Sequence, residues 1–157
     1  MITLPALTAE QRHHLTLAMT AIAAAETGPD PEDLAAAPAL DLWRPLATLD
    51  LALVLWGHVS GHPRFAPGPI VTSRLIALNR QDGWARTLSR WYRLAEPFTA
   101  FEGALARDAG LSGSGMRIAT FDFGGYIPVD DPTVLDRLLA DYAARVRACD
   151  GEKREHR

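Results

Sequence analysis

Cysteine is nearly absent from this chain, which has one, Cys149, among 157 residues. A single cysteine excludes an internal disulfide framework and is typical of a protein kept in a reducing compartment. A reactive thiol needs a neighbouring base or cation that favours the thiolate, and the one histidine near Cys149 in sequence is His156. We therefore interpret Cys149 as an incidental thiol at the end of the last predicted helix.

Long apolar stretches are also absent. The longest run, Leu51 to Gly57, is far shorter than the roughly 18 to 20 residues that a membrane span needs. The N-terminus has no basic segment followed by an apolar core, because Pro5, Glu10 and Arg12 interrupt it. These absences predict a cytoplasmic protein with no membrane partner.

Two motifs that carry enzyme chemistry are missing as well. Neither Ser60, Ser73 nor Ser89 stands in the Gly-x-Ser-x-Gly turn that exposes a nucleophilic hydroxyl. The glycines between positions 110 and 115 lack the Lys-Ser/Thr pair that completes a phosphate-binding loop, so we interpret them as a linker. We expect a non-catalytic protein, although an enzyme stays an open alternative.

What the chain does have is an ordinary globular composition, with 48% hydrophobic and 22% charged residues. A chain of this length forms one domain that buries roughly 70% of its unfolded surface. We predict a single globular α+β domain over residues 1–149 and a charged, flexible tail over residues 150–157.

Helix signals begin near the N-terminus. Thr8-Ala-Glu-Gln11 has the spacing of a capping box, and the residues after it favour a helix that stops at Gly28. Asp30 followed by Pro31 opens a short second helix, with the proline at the first helical position.

Helix signals return in the C-terminal half. Residues Phe98 to Ala109 have helical composition, and Asp131-Pro132 begins the last helix as Asp-Pro begins the second. The apolar residues of this last helix recur at spacings of three and four, which predicts that the helix docks on a sheet.

The stretch between these helical regions is ambiguous at its start. We interpret the run from Pro38 to Pro45 as a linker in which Trp43 folds back as a core anchor. Residues 48–56 fit a buried helix or a strand equally by periodicity. Their leucine and alanine content favours a helix that enters a strand near Leu55.

The centre of the chain predicts a β-hairpin. Ile70–Leu78 and Trp84–Leu94 form its arms and Asn79–Gly83 its turn, with Leu78 opposite Trp84. The predicted fold is therefore α+β, with N-terminal helices, a small antiparallel sheet made of the hairpin at about residues 70–94 and a strand at about 116–123, and a C-terminal helix packed on the sheet.

Positive charge is concentrated in this predicted hairpin. Between His58 and Glu96 six arginines occur with two acids, so this segment is +4, while the whole chain is −3 and the remainder is −7. Segregated charge of this kind is typical of a surface that meets an acidic partner. The predicted binding residues are Arg74, Arg86, Arg90 and Arg93 with Trp84 and Tyr92, and all of these except Arg93 share one face of the predicted hairpin.

Guanidinium groups beside aromatic rings suit two functions. They capture acidic side chains, or they contact phosphates while the rings stack on bases. We favour an acidic protein partner over nucleic acid, because counterion release rewards a broadly basic footprint and this chain is acidic overall. The simpler interpretation is that the arginines pair with the protein's own acids or cover apolar sheet edges.

A small hydrolase or metalloenzyme is the remaining alternative. His58 and His62 are four residues apart, so they point the same way along a helix or a strand, as two zinc or iron ligands do. Asp122 stands between two phenylalanines and is the candidate acid of such a site, because burial would raise the pKa of its carboxyl group. No acid or cysteine follows His62 in the next ten residues to complete a metal site, so we expect no metal or other cofactor. Instead, we expect the His62 side chain to form a hydrogen bond with the backbone of its loop.

A recurring pattern runs across the predicted hairpin. It consists of Gly61-His-Pro63, Thr72-Ser-Arg74 and the run Arg-Thr-Leu-Ser-Arg-Trp-Tyr-Arg-Leu from Arg86 to Leu94. The pattern resembles one found in a family of small uncharacterised bacterial proteins for which no activity is known. The resemblance implies that the hairpin is the common unit of that family. Such proteins are often encoded on plasmids and prophages, which further implies a regulator or inhibitor of a larger machine.

Overall fold

The computed structural model of the chain describes residues 6–108 and 123–155. It has the predicted α+β class, with helices at both ends and a sheet between them. Among the described residues, no helix combines the length and the apolar composition that crossing a bilayer requires. In chain order the elements are α1 (Ala9–Thr27), α2 (Pro31–Ala36), β1 (Ala39–Ala47), β2 (Leu53–Ser60), β3 (Gly68–Val71), β4 (Leu75–Asn79), β5 (Trp84–Thr87), β6 (Trp91–Leu94), α3 (Phe98–Asp108), β7 (Ile127–Pro128) and α4 (Pro132–Glu155).

Both N-terminal helices begin where their caps predicted. At α1 the Gln11 amide N–H donates to Thr8 Oγ1 over 3.1 Å, and the Thr8 N–H donates to Gln11 Oε1 over 2.9 Å. The helix stops at Gly28, whose φ of 83° lies in a region that residues with a side chain rarely adopt. At α2 the Asp30 carboxylate accepts the Asp33 N–H over 2.7 Å. These bonds satisfy amide groups that a helix start leaves free.

The run predicted as a linker is strand β1, and the helix predicted before Leu55 is wrong. The β2 strand begins at Leu53 and pairs antiparallel with β1, from Ala47↔Leu53 to Ala39↔Ser60. This pairing overrides the helical preference of leucine and alanine, because strand formation depends on neighbouring strands more than on local propensity. The prediction for Trp43 is confirmed. It is 5% exposed, and its indole N–H donates to the Ala95 carbonyl over 3.1 Å.

The predicted hairpin region forms four short strands rather than two long arms. Residues 72–74 separate β3 from β4, and residues 88–90 separate β5 from β6. The predicted register is wrong by one residue, since Asn79 and not Leu78 pairs with Trp84. Asn79 closes the turn through two hydrogen bonds. Its backbone carbonyl accepts the Gly83 N–H over 2.9 Å, and its side-chain Oδ1 accepts the Asp82 N–H over 2.8 Å.

The strands of the described residues form one mixed seven-stranded sheet, which is larger than the small antiparallel sheet predicted. Its order is β3-β2-β1-β6-β5-β4, with β1 parallel to β6 and β7 paired to β1. The edge strands β3 and β4 follow each other in the chain, and the connection between them, residues 72–74, reaches at most roughly 14 Å. The sheet therefore curls until its two edges approach. The strand predicted at about 116–123 lies outside the described residues, apart from Phe123.

The curled sheet is covered on both faces where β4 lies. Leu75 and Ile76 are consecutive, yet they are 1% and 7% exposed, because successive strand residues point to opposite faces. The inner cluster contains Leu75 with Leu40, Trp43, Leu55, Tyr92 and Leu135. The outer cluster contains Ile76 with Leu15, Ala18, Ala21, Ile22 and Val146. Because α4 contributes to both clusters, it docks on the sheet as predicted.

The last helix reaches further than predicted. We placed the start of a flexible tail at residue 150, whereas α4 continues to Glu155. The flexibility of that end stays a prediction, as does the division into one domain and a tail.

Candidate functional site

Four side chains of β5 and β6 form a checkerboard of tryptophan and arginine on one side of the sheet. In the antiparallel register Trp84 lies opposite Arg93, and Arg86 lies opposite Trp91. Residues directly opposite each other project from the same face, so all four side chains share it. The two tryptophan rings meet edge to face with their centroids 5.3 Å apart. We call these four residues the Trp/Arg face.

Arg86 is the half-buried cation of this face. Its guanidinium carbon lies 5.1 Å from the centroid of the Trp91 ring, within the range of a cation–π contact. Its Nε is buried and has no hydrogen-bond partner among the described residues. Burial lowers the pKa of Arg86, and the charge of Asp33 partly opposes that shift. The group stays protonated, so it carries a positive charge that its surroundings solvate poorly.

Arg93 is the exposed cation of the face. Its Nε donates to the Ala37 carbonyl, just after α2, over 3.1 Å. Asp33, the acid whose charge acts on Arg86, is already engaged in the α2 cap, where it accepts the Asp30 N–H over 3.1 Å. Neither arginine forms an ion pair with a carboxylate of the described residues. The Trp/Arg face therefore presents two cations that form no ion pair with any carboxylate in the described part of the chain.

Arg74 was predicted to share a face with Arg86, and this is wrong. It leaves the connection between β3 and β4 and stacks on Tyr142 of α4, with its guanidinium carbon 3.6 Å from the ring centroid. Residues 72–74 interrupt the in-and-out alternation of side chains along the strands. The Arg74 side chain therefore lies against α4 and not beside Arg86 on β5.

Arg90 and Tyr92 also leave the predicted face. Arg90 lies in the turn at 88–90, which interrupts the alternation between β5 and β6. After that turn Tyr92 pairs with Ala85, and both are buried, at 2% and 0% exposure. Tyr92 is therefore a core residue, and the ring that lies beside Arg86 on the surface is that of Trp91. In the sequence, the small apolar Ala85 stands between the large side chains of Trp84 and Arg86. That contrast was the signal that Ala85, and not its neighbours, faces the core.

The segments that carry the family resemblance meet in space. The Ser73 and Ser89 hydroxyls, from the second and third segments of the pattern, lie 3.0 Å apart. The fully buried Thr87 hydroxyl lies 3.3 Å from both the N–H and the carbonyl oxygen of Arg90 and so closes the turn. Thr72-Ser-Arg74 and the run from Arg86 to Leu94 therefore contain two strand breaks that fit against each other.

The two histidines of the predicted alternative active site lie on different elements. His58 is exposed on β2, whereas His62 lies in the following loop, after the positive φ of 72° at Gly61. His62 Nδ1 accepts the Arg64 N–H over 3.0 Å, which is the loop-backbone bond predicted for it. Within the described parts of the chain, no group of three or more His, Cys, Asp or Glu is placed to hold a metal. Asp122 lies outside the described residues.

Sequence reasoning missed a second arginine centre at Arg44 of β1. Its guanidinium binds both carboxylate oxygens of Asp130, at 3.0 and 2.6 Å, and lies 3.4 Å from Glu102. It also lies 5.0 and 5.3 Å from the ring centroids of Phe98 and Phe123. Because two acids neutralise Arg44, it ties α3 and the start of α4 to the sheet rather than facing a partner. No local pattern indicates a pair whose members stand 86 positions apart.

Comparison with known proteins identifies a family and no function. Residues 6–154 match the model of a family described as a family of unknown function, DUF6634. No curated protein and no solved structure matches the chain. This match covers nearly the whole chain and agrees with the resemblance to an uncharacterised family. The chain therefore belongs to the DUF6634 family, whose function is unknown.

Proposed function

We propose that this protein is a non-catalytic recognition protein that binds an acidic protein partner through the Trp/Arg face and so regulates that partner. One observation carries the proposal. Arg86 and Arg93 form no ion pair with a described carboxylate, although the chain has a net charge of −3 and therefore acids to spare. A half-buried guanidinium has already lost part of its hydration, so a partner carboxylate gains a charge-assisted bond at lower desolvation cost.

The tryptophans supply the apolar part of such a surface. Tryptophan and arginine are the residue types that contribute most often to binding hot spots. Trp84 also lines an open groove of about 610 Å³ between the end of α1, the β4–β5 turn and the start of α4. A partner segment lying along β5 and β6 would place carboxylates on the two arginines and apolar groups against the rings.

The separation of the arginines favours a protein partner over nucleic acid. Arg74 lies against α4, Arg90 lies at the turn beside His62, and the Trp/Arg face is a third location. Affinity for nucleic acid grows with the number of phosphates that are neutralised together. Two cations with two aromatic rings suit a short acidic segment better than a continuous phosphate backbone.

The immobilised full-length chain can be tested against an array of synthetic peptides of graded Asp/Glu content. Lysine-rich peptides and double-stranded DNA serve as comparison probes. We expect acidic peptides to be retained and their retention to fall as salt rises, because salt screens exposed charges. Arg93→Glu and Arg86→Glu should each weaken acidic-peptide binding at least about tenfold, equivalent to about 1.4 kcal/mol.

Arg12→Glu is the matched control, because it makes the same charge change at an exposed position of α1 outside the face. It should leave retention unchanged. Arg93 is exposed, so its variant keeps the fold, which circular dichroism checks. Equal retention by wild type and Arg93→Glu contradicts the proposal. DNA retention that Arg93→Glu abolishes would assign the face to nucleic acid instead and overturn it as well.

A further inference from the structure

A second candidate site lies between the N-terminal half of α1 and the C-terminal half of α4. An open groove of about 240 Å³ separates the two helices there. Its floor contains Leu15, Ala18 and Val146, which are 8%, 0% and 6% exposed. Small-molecule sites are concave and mostly apolar with a few convergent polar groups, and this groove has such a floor.

Two arginines and a tyrosine are among the polar residues of the groove, together with Gln11, His14 and Cys149. Arg74 stacks on the ring of Tyr142 at 3.6 Å, which covers the face of the guanidinium but leaves its in-plane N–H groups free to donate. Arg145 lines the same groove, and Tyr142 Oη lies 3.4 Å from His14 Nε2. Within the described part of the chain, neither Arg74 nor Arg145 forms an ion pair.

The two arginines act on each other electrostatically. Burial lowers the pKa of Arg74, and the nearby charge of Arg145 lowers it further, against an opposing effect of Tyr142. Like charges held close together without a counter-charge favour an anion between them. The groove therefore combines an apolar floor with positive potential at one side.

We propose that this groove binds a small organic acid with an apolar tail. Its carboxylate accepts N–H groups of Arg74 and Arg145, and its tail lies on Leu15, Ala18 and Val146. The volume is below the range of about 300–1,000 Å³ that is typical of drug-sized ligands, so the ligand is small. The site is separate from the Trp/Arg face and does not depend on the function proposed for that face.

Octanoate is the probe, and octanamide, which has the same shape without the charge, is its matched neutral comparison. Calorimetric titration of the full chain measures both. We expect saturable binding of octanoate and at least about tenfold weaker binding of octanamide, because hydrogen bonds to charged groups are the stronger ones. Cys149 is exposed and lines the groove, so bound octanoate should also slow its alkylation by iodoacetamide.

Arg145→Gln should weaken octanoate binding about tenfold and leave octanamide binding unchanged. Arg145 is exposed, so this variant keeps the fold, whereas Arg74→Gln also removes the stacking on Tyr142. Arg137→Gln, earlier on α4 and outside the groove, should bind octanoate like wild type. Equal affinity for the acid and the amide, or wild-type affinity in Arg145→Gln, overturns the proposal. So does the lack of saturable octanoate binding below about 10 mM.

Discussion

At the scale of single residues, Arg86 buries a polar atom that no described residue pairs with. Its Nε is buried without a partner among the described residues, and leaving a buried polar group unpaired costs about 1–3 kcal/mol. The cation–π contact with Trp91 offsets about 0.5–1 kcal/mol of that. Proteins tolerate unpaired buried groups at functional sites, which supports a binding role for this arginine.

Arg86→Met tests this balance. Methionine keeps an apolar side chain against Trp91 and removes the buried donor. We expect the free energy of unfolding in urea to stay within about 0.5 kcal/mol of wild type or to rise by about 1 kcal/mol, while acidic-peptide binding is lost. Arg12→Met, at an exposed position, is the control for general charge effects. A loss of stability above about 2 kcal/mol would show that Arg86 is structural.

At the scale of elements, the loop after β2 and the turn between β5 and β6 meet at His62. Its ring lies 4.5 Å from that of Phe65 and 6.4 Å from that of Tyr92, measured between centroids. Burial lowers the pKa of His62, and the charges of Arg90 and Arg64 lower it further. The loop is therefore most stable against the turn when the imidazole is neutral.

This arrangement predicts how stability depends on pH. With its pKa lowered in the folded state, His62 binds fewer protons folded than unfolded between that pKa and its ordinary value of about 6.5. The free energy of unfolding should therefore rise as the pH increases through that window and level off above it. His62→Gln should reduce this slope in urea unfolding measured from acidic to neutral pH.

The cause of the shift is tested by proton NMR titration of the His62 ring. Arg90→Gln removes one cation beside the ring, so the pKa of His62 should move up toward its ordinary value. Arg12→Gln, at an exposed position of α1, should leave it in place. An unchanged His62 titration in Arg90→Gln would show that the turn does not act on the loop electrostatically.

At the scale of the whole molecule, the connection between β3 and β4 is tied to β2. Two hydrogen bonds join Thr72 in this connection to Leu55 of β2, and a third joins it to Ser73. The Thr72 N–H donates to the Leu55 carbonyl over 2.9 Å, its hydroxyl accepts the Leu55 N–H over 3.0 Å, and the hydroxyl donates to the Ser73 carbonyl over 2.8 Å. Thr72 is 7% exposed, so water does not replace these bonds readily.

Thr72→Val keeps the shape and removes the hydroxyl, which leaves the buried Leu55 N–H without its acceptor. We expect a loss of about 1–3 kcal/mol in the free energy of unfolding and faster hydrogen exchange at the Leu55 amide. Ser73→Ala removes an exposed neighbouring hydroxyl and should cost less than about 0.5 kcal/mol. Wild-type stability and exchange in Thr72→Val would show that the edges of the sheet are held by other contacts.

Local interactions explain which features the sequence predicts correctly. The caps at Thr8 and Asp30 close over three residues, so their residue types define the helix starts without reference to the rest of the chain. The turn at Asn79–Gly83 and the docking face of the last helix are local in the same sense. The segregation of charge is also a property of the sequence alone.

Non-local pairing explains the errors. Residues 39–47 and 53–60 become strands because β1 pairs with β2 on one side and with β6 on the other. The pairing with β6 is parallel and joins residues more than 50 positions apart. The side of the sheet on which Arg74, Arg90 and Tyr92 lie depends on the strand breaks at residues 72–74 and 88–90. These two breaks contact each other through the Ser73 and Ser89 hydroxyls.

By itself, the sequence determined the α+β class, the starts of the capped helices and the arginine-rich centre, since the caps and the charge pattern depend on neighbours within a few positions. Only the tertiary structure decided that the sheet is mixed and curled, that Trp91 replaces Tyr92 beside Arg86, and that Arg74 faces a groove of α1 and α4. The reason is that a strand residue faces core or solvent according to which strands and helices cover it, and those partners come from distant parts of the chain.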